Sequence, residues 1–173
     1  MIIGEKTLDT TEIIVSGVDF LGKGITSQEQ KVIDLFKKAE KEISILTFSL
    51  TQLDDILNPL KTALQRGVSL KLIYGTIDKR RPSLHKKIMK DLFNNSEYVD
   101  FYFYSHEHNI FHAKVIVVDR KEAIIGSANF TYQGYKRNHE IGVYLKGKVV
   151  NDINHLIDSF IENCPNLKYF DEF

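Results

Sequence analysis

The sequence predicts an α/β fold: a mixed, mostly parallel β-sheet flanked by helices on both faces, in one domain covering residues 1–173. Three observations carry this. Short runs rich in β-branched residues alternate with helical periodicity through the first half of the chain. Strand-like runs then crowd together in the second half. A length of 173 residues, with 43% hydrophobic and 27% charged content, suits one ordinary core without disulfides or structural metals. No linker of proline, glycine or serine and no internal repeat divides the chain.

Each element follows from local chemistry. Glu12 to Ser16 reads as a first short strand, and Gly17, Gly22 and Gly24 punctuate the loop after it. Ser27 stands three residues before Gln30, a capping-box pair that opens a helix. In that helix Val32, Leu35, Phe36 and Ala39 recur at helical spacing. Ile43 to Leu50 is a buried strand by its β-formers and its shortness. A helix from about Leu53 to Arg66 ends at Gly67, with Pro59 an awkward interior residue expected to kink it. Val68 to Tyr74 is the next strand, followed by a basic helix near Pro82 to Phe93 and a strand from Tyr98 to Tyr104. Ala113 to Val118, Glu122 to Ile125 and Ile141 to Leu145 are closely spaced strands, and an amphipathic helix covers about Val149 to Ile161.

Lys plus Arg and Asp plus Glu both total 23, so the formal net charge is zero. That excludes a globally basic nucleic-acid coat and an acidic tail protein, and leaves local patches open. The single cysteine, Cys164, excludes an internal disulfide and fits a reducing compartment. Met1-Ile2-Ile3 runs straight into Gly4, Glu5 and Lys6, and no stretch approaches the roughly 18 apolar residues of a membrane span. A cytoplasmic protein without membrane association is expected.

One segment concentrates the chemistry: Phe111 to Asp119, then Ile125 to Thr131, then Asn138-His139-Glu140. On a strand His112 and Lys114 would point the same way, while Ala113 and Val115 pack behind. An ammonium beside an imidazole favours the neutral, nucleophilic ring and gives a fixed positive charge for an anion. Gly126 allows close backbone approach, and Ser127 and Asn129 are short donors at a turn. Glu140 is the carboxylate best placed to accept a proton from a histidine Nδ1 and leave Nε2 free to attack. Together these groups make a phosphate-binding set suited to covalent catalysis.

These residues resemble the HKD motif of the phospholipase D superfamily, His-x-Lys-x4-Asp followed by Gly-Ser-x-Asn. His112, Lys114 and Asp119 have its spacing, as do Gly126, Ser127 and Asn129, and Glu140 stands where the family has its histidine-orienting glutamate. The resemblance extends to Glu42 to Leu50 and to the Arg66-Gly67-Val68 strand, covering approximately Glu12 to Glu162. It implies the phospholipase D-like fold. Most lipid-cleaving members carry two such motifs in one chain; this chain has one, since His85 precedes Lys86 and Lys87 without a Gly-Ser-x-Asn element. Single-motif members of similar length are nucleases that dimerise about a two-fold axis, so the resemblance implies a homodimer with a shared site.

The mechanism it implies is two-step hydrolysis without a metal or other cofactor. His112 of one copy attacks phosphorus and His112 of the other protonates the leaving oxygen; Lys114 and Asn129 surround the phosphoryl charge, Ser127 supports them and Glu140 orients His112. Asp119 is expected to be structural. Lys79, Arg80, Arg81, Lys136 and Arg137 are candidate phosphate contacts, with Tyr132 and Tyr135 beside them suiting a single-stranded substrate. The nucleic acid is DNA or RNA, and a specificity partner is compatible with so small a chain. Two other readings stay open: a lipid hydrolase or phosphatidyltransferase, and a binding module without turnover. His106-Glu107-His108 with His112 has metal-ligand character, but His112 has the better role in catalysis.

Overall fold

The structure, a computed structural model, describes residues 9–51, 53–75, 82–94 and 98–169. Its elements in chain order are β1 (Thr10–Ser16), β2 (Thr26–Ser27), α1 (Gln28–Lys38), β3 (Glu42–Thr47), α2 (Asp54–Gln65), β4 (Ser69–Tyr74), α3 (Pro82–Phe93), β5 (Val99–Tyr104), β6 (Val115–Val118), β7 (Glu122–Gly126), β8 (Glu140–Lys146), α4 (Lys148–Asn163) and β9 (Leu167–Tyr169). A π-helical turn, Gln133–Arg137, lies between β7 and β8. The strands form one sheet in the order β2-β1-β8-β7-β6-β3-β4-β5-β9.

The mixed sheet with helices on both faces is as expected; its predominant direction is not. Among the described strands three neighbouring pairs are parallel, β1/β2, β3/β4 and β4/β5, and five are antiparallel. The reason is connection length. A parallel pair needs a crossover, usually a helix, which α2 and α3 supply. Between β6 and β7 no helix intervenes, and the three-residue turn Asp119-Arg120-Lys121 can only make a hairpin.

Two apolar clusters sandwich the sheet. On one face Val32, Leu35 and Phe36 of α1, Ile56, Leu60 and Leu64 of α2, and Ile88 and Leu92 of α3 pack on Ile14, Ile45, Leu72, Ile116 and Ile124. On the other, Val150 and Ile157 of α4 pack on Leu46, Ile73, Val117 and Ala123. The alternation of Ile45 with Leu46, and of Ile116 with Val117, assigns each strand residue to its face. Ser27 caps α1, its Oγ accepting from the Gln30 amide at 3.5 Å, and Arg66 closes the far end by donating to the carbonyls of Phe36, Lys37 and Ala39. No described helix is long and apolar enough to cross a membrane.

Asp119 has the structural role expected of it. Its carboxylate accepts from the amides of Glu40, Lys41 and Glu42 at 3.0, 2.7 and 3.1 Å, at the start of β3. The residue itself has φ 52°, a left-handed conformation that aspartate tolerates better than most side chains. Asp119→Ala leaves three amides without their acceptor and is expected to cost about 2 kcal/mol. Urea denaturation should show a lowered midpoint with an unchanged slope.

Candidate active site

One end of the sheet gathers the strand ends that surround the site: the last residues of β1, β3, β4 and β7 and the first of β6 and β8. His112 and Lys114 lie on the segment entering β6, which starts at Val115 rather than at Ala113. The pair is thus presented from the strand's approach, not from its interior. Its position depends on Gly75. That residue's amide donates to the Thr47 carbonyl at 2.9 Å, and a Cβ there would fall on the Phe111 carbonyl oxygen and lie 3.2 Å from the Phe48 Cα. Only glycine lets the chain before His112 come so close to the end of β4.

His112 is exposed, its ring against Phe48 with centroids 5.0 Å apart. Lys114 is half-buried; its Nζ donates to the His112 carbonyl at 2.7 Å and stands 5.7 Å from the centre of the Phe48 ring. Burial pushes the Lys114 ammonium below the ordinary lysine range, and the charge of Glu140 opposes that shift.

The turn after β7 is pinned to β3 and its continuation. The Phe130 amide donates to Thr47 Oγ1 at 3.0 Å, Thr51 donates to the Phe130 carbonyl at 3.1 Å, and the Tyr132 amide to Thr51 Oγ1 at 3.1 Å. This holds Asn129, whose Oδ1 is buried with no hydrogen-bond partner among the described residues.

Ser127 Oγ donates to the Glu140 carboxylate and accepts from the Ile141 amide at 3.2 Å, while Asn138 Nδ2 donates to the other Glu140 oxygen at 3.0 Å. Glu140 is therefore fixed by Ser127 and Asn138. Its expected hydrogen bond to His112 is not made here: among the described residues the His112 ring nitrogens have none. Sequence reasoning included Asn138 in the segment but gave it no role; the signal for one was its spacing two residues before Glu140, on the same face of an extended segment.

Lys136 does not stand free for substrate. Its Nζ lies 2.6 Å from Glu29 and 2.8 Å from Asp55, which raise its pKa and tie the π-turn to α1 and α2. Arg137 is exposed, its guanidinium 5.6 Å from the centre of the Tyr132 ring. Tyr135 is buried against Phe130. Lys79, Arg80 and Arg81 lie outside the described residues. His106 Nδ1 accepts from the amides of His108 and Asn109, and no three His, Cys, Asp or Glu among the described residues are arranged to hold a metal.

A family profile described as "Cardiolipin synthase, PLD-like domain" matches residues 32–164. The chain belongs to the phospholipase D superfamily. It is a member of a family of phosphodiester-acting enzymes. The cardiolipin synthase of Geobacillus thermodenitrificans is 26% identical over 166 residues, 94% of this chain and 31% of the relative. This phospholipase D-like chain thus spans about a third of the curated relatives it matches. Nuc, a phospholipase D family member from Salmonella typhimurium, superposes with a TM-score of 0.74 at 20% identity, over 95% of this chain and 100% of Nuc. A phosphatidylserine synthase of Haemophilus influenzae gives 0.71 at 15% identity, over 94% and 40%.

Three outcomes are expected for hydrolysis of bis(p-nitrophenyl) phosphate. Gly75→Ala forces Phe111 and His112 aside, and kcat should fall about 100-fold. Activity that needs the Lys114 ammonium should decline on the alkaline side before an ordinary lysine would lose its proton. Glu140→Gln removes the charge that supports the ammonium, so this limb of the pH profile should move to still lower pH.

Proposed function

We propose that this protein is a metal-independent phosphodiesterase that works as a homodimer and cleaves DNA or RNA through a phosphohistidine. The observation that carries the reading is an exposed His112 with Lys114 bonded to its carbonyl, at the end of the sheet where the Ser127–Asn129 turn leaves β7. Two-step phosphoryl transfer through histidine needs a nucleophile and a proton donor, and this chain carries one histidine in the His-x-Lys pattern with a following Gly-Ser-x-Asn element. Nuc, matched over its whole length at the level of fold, supports a site built from one such unit per chain.

The sheet supports a second copy as the occupant of its bare face. Ile13 pairs with Val143, Ile125 with Val143, and Val15 with Ile141, so these side chains share the face that α4 covers elsewhere. Ile13, Ile125 and Ile141 remain exposed beyond α4, and Ile125 and Ile141 are close neighbours in sequence of Ser127 and Glu140. An isologous dimer that meets at the Ser127 and Glu140 end of this strip would set the two copies of the site next to each other.

In the assembled site the Nε2 of one His112 attacks phosphorus, the P–O bond to the leaving group breaks, and the second His112 gives that oxygen its proton. The second histidine then takes a proton from water, whose oxygen attacks phosphorus and releases the first. The two Lys114 ammoniums and two Asn129 amides stabilise the charge on the phosphoryl oxygens. Glu140, anchored by Ser127 and Asn138, is assigned the orientation of His112. Arg137, with Lys79, Arg80 and Arg81, contacts the backbone of the substrate, and Tyr132 offers a base a stacking surface. Lys136, already ion-paired, holds the π-turn instead.

A second reading, hydrolysis or transfer of a phosphatidyl group, is favoured by the cardiolipin synthase relatives. Labelled single- and double-stranded DNA and RNA, and vesicles containing phosphatidylglycerol, separate the two when incubated with the protein in EDTA. Nucleic-acid cleavage by the wild type and none by His112→Ala is expected, with a dimer in sedimentation. Turnover of lipid alone would establish the second reading. Binding of nucleic acid without cleavage of anything would leave a binding module.

A further inference from the structure

The face of the sheet under α1 has a gap beside Lys114. One step beyond the Val115–Ile125 pair, the Gly126 amide donates to the Lys114 carbonyl at 3.2 Å, and Gly126 pairs in turn with Gly142. Lys114, Gly126 and Gly142 thus form one cross-strand row, whose side chains would share a face. Two of the three have none.

Gln28, the first residue of α1, fills the gap and is 2% exposed. A Cβ on Gly142 would lie 3.2 Å from its Oε1, and one on Gly126 would lie 3.5 Å from its Nε2. The Gln28 side chain faces the same small cavity as Tyr135, on the π-turn that follows Asn129. A cavity of about 10 Å³, room for one water, lies among Gln28, Thr47, Lys114, Ala128, Phe130 and Tyr135. Gln28 Oε1 has no hydrogen-bond partner among the described residues.

We propose that Gln28 is a positioning residue: its amide, seated over Gly126 and Gly142 and facing one cavity with Lys114 and Tyr135, fixes Lys114 relative to the turn that carries Asn129. The inference rests on the reading that Lys114 and Asn129 grip the reacting phosphate. A residue that only filled the gap would be apolar, because a buried amide with an unpaired acceptor is costly. The amide instead supplies a polar wall to the cavity that Lys114 also lines, and burial disfavours the ammonium of that lysine. The charged or titratable groups around Lys114 are Glu140 from β8 and His112 from its own segment; Tyr135 faces it from the π-turn, and Glu29 of α1 is engaged with Lys136.

The test combines hydrolysis of bis(p-nitrophenyl) phosphate with NMR titration of ¹³C-labelled lysine side chains, the Lys114 signal being assigned by its loss in Lys114→Arg. Gln28→Leu removes the amide at similar volume. It should lower kcat about tenfold with KM unchanged and move the Lys114 titration down by about one pH unit, without lowering Tm. Gln28→Glu should move that titration upward. Should Gln28→Leu not fold, Gly142→Ala displaces the same amide by a few tenths of an ångström and should likewise lower kcat. Wild-type values for kcat and for the Lys114 titration in a folded Gln28→Leu protein would overturn the proposal. No hydrolysis by the wild type, with the Lys114 titration still shifted in Gln28→Leu, would instead remove the phosphodiesterase reading and leave the positioning role standing.

Discussion

The register between β3 and β6 is the constraint on which the rest depends. It joins the parallel half of the sheet to the antiparallel half, and the Asp119 carboxylate clamps it from the end remote from the site. Between Asp119 and Lys114 stand the four residues of β6, so strand rise alone spaces the two by about 16 Å. A slip of one residue would put Lys114 on the α4 face and Val115 where the ammonium belongs. The spacing of the motif is the length of a ruler: one mark grips the start of β3, and the other sets the cation beside its end.

At the site the design is one of close backbone approach rather than of large side chains. Gly75 admits the carbonyl before His112, and the Gly126–Gly142 pair admits Gln28 from α1. Phe48 makes the one broad surface, touching both the imidazole and the ammonium. Around this, Thr47 and Thr51 supply acceptors to the turn after β7, so the end of β3 holds the two halves of the motif together.

The longer strands, the helices and the Ser27 cap were legible because each has a local signal, periodicity or a capping residue; His112, Lys114, Ser127, Asn129 and Glu140 were singled out by their fixed spacing alone. Strand direction was less legible, since it depends on what connects the strands and not on their composition. The two-residue β2 and three-residue β9 were missed because such short edge strands have no periodicity of their own. Lys136 shows the same limit for charge. Its neighbours Tyr135 and Arg137 suggested a substrate contact, but Glu29 and Asp55, distant in sequence, neutralise it. Gln28 left no signal, since only the register of β7 and β8 reveals two glycines beneath it.

The Lys136 clamp has a consequence for ionic strength. It joins α1, α2 and the π-turn through two partly exposed ion pairs, which dissolved salt weakens. A polyanionic substrate would also bind less well in salt, by counterion release at each phosphate contact. The two effects have different origins and the same sign. For the nucleic-acid substrate proposed above, the salt slope of activity would therefore sum an interfacial contribution and an internal one, and counting phosphate contacts from that slope alone would overstate them.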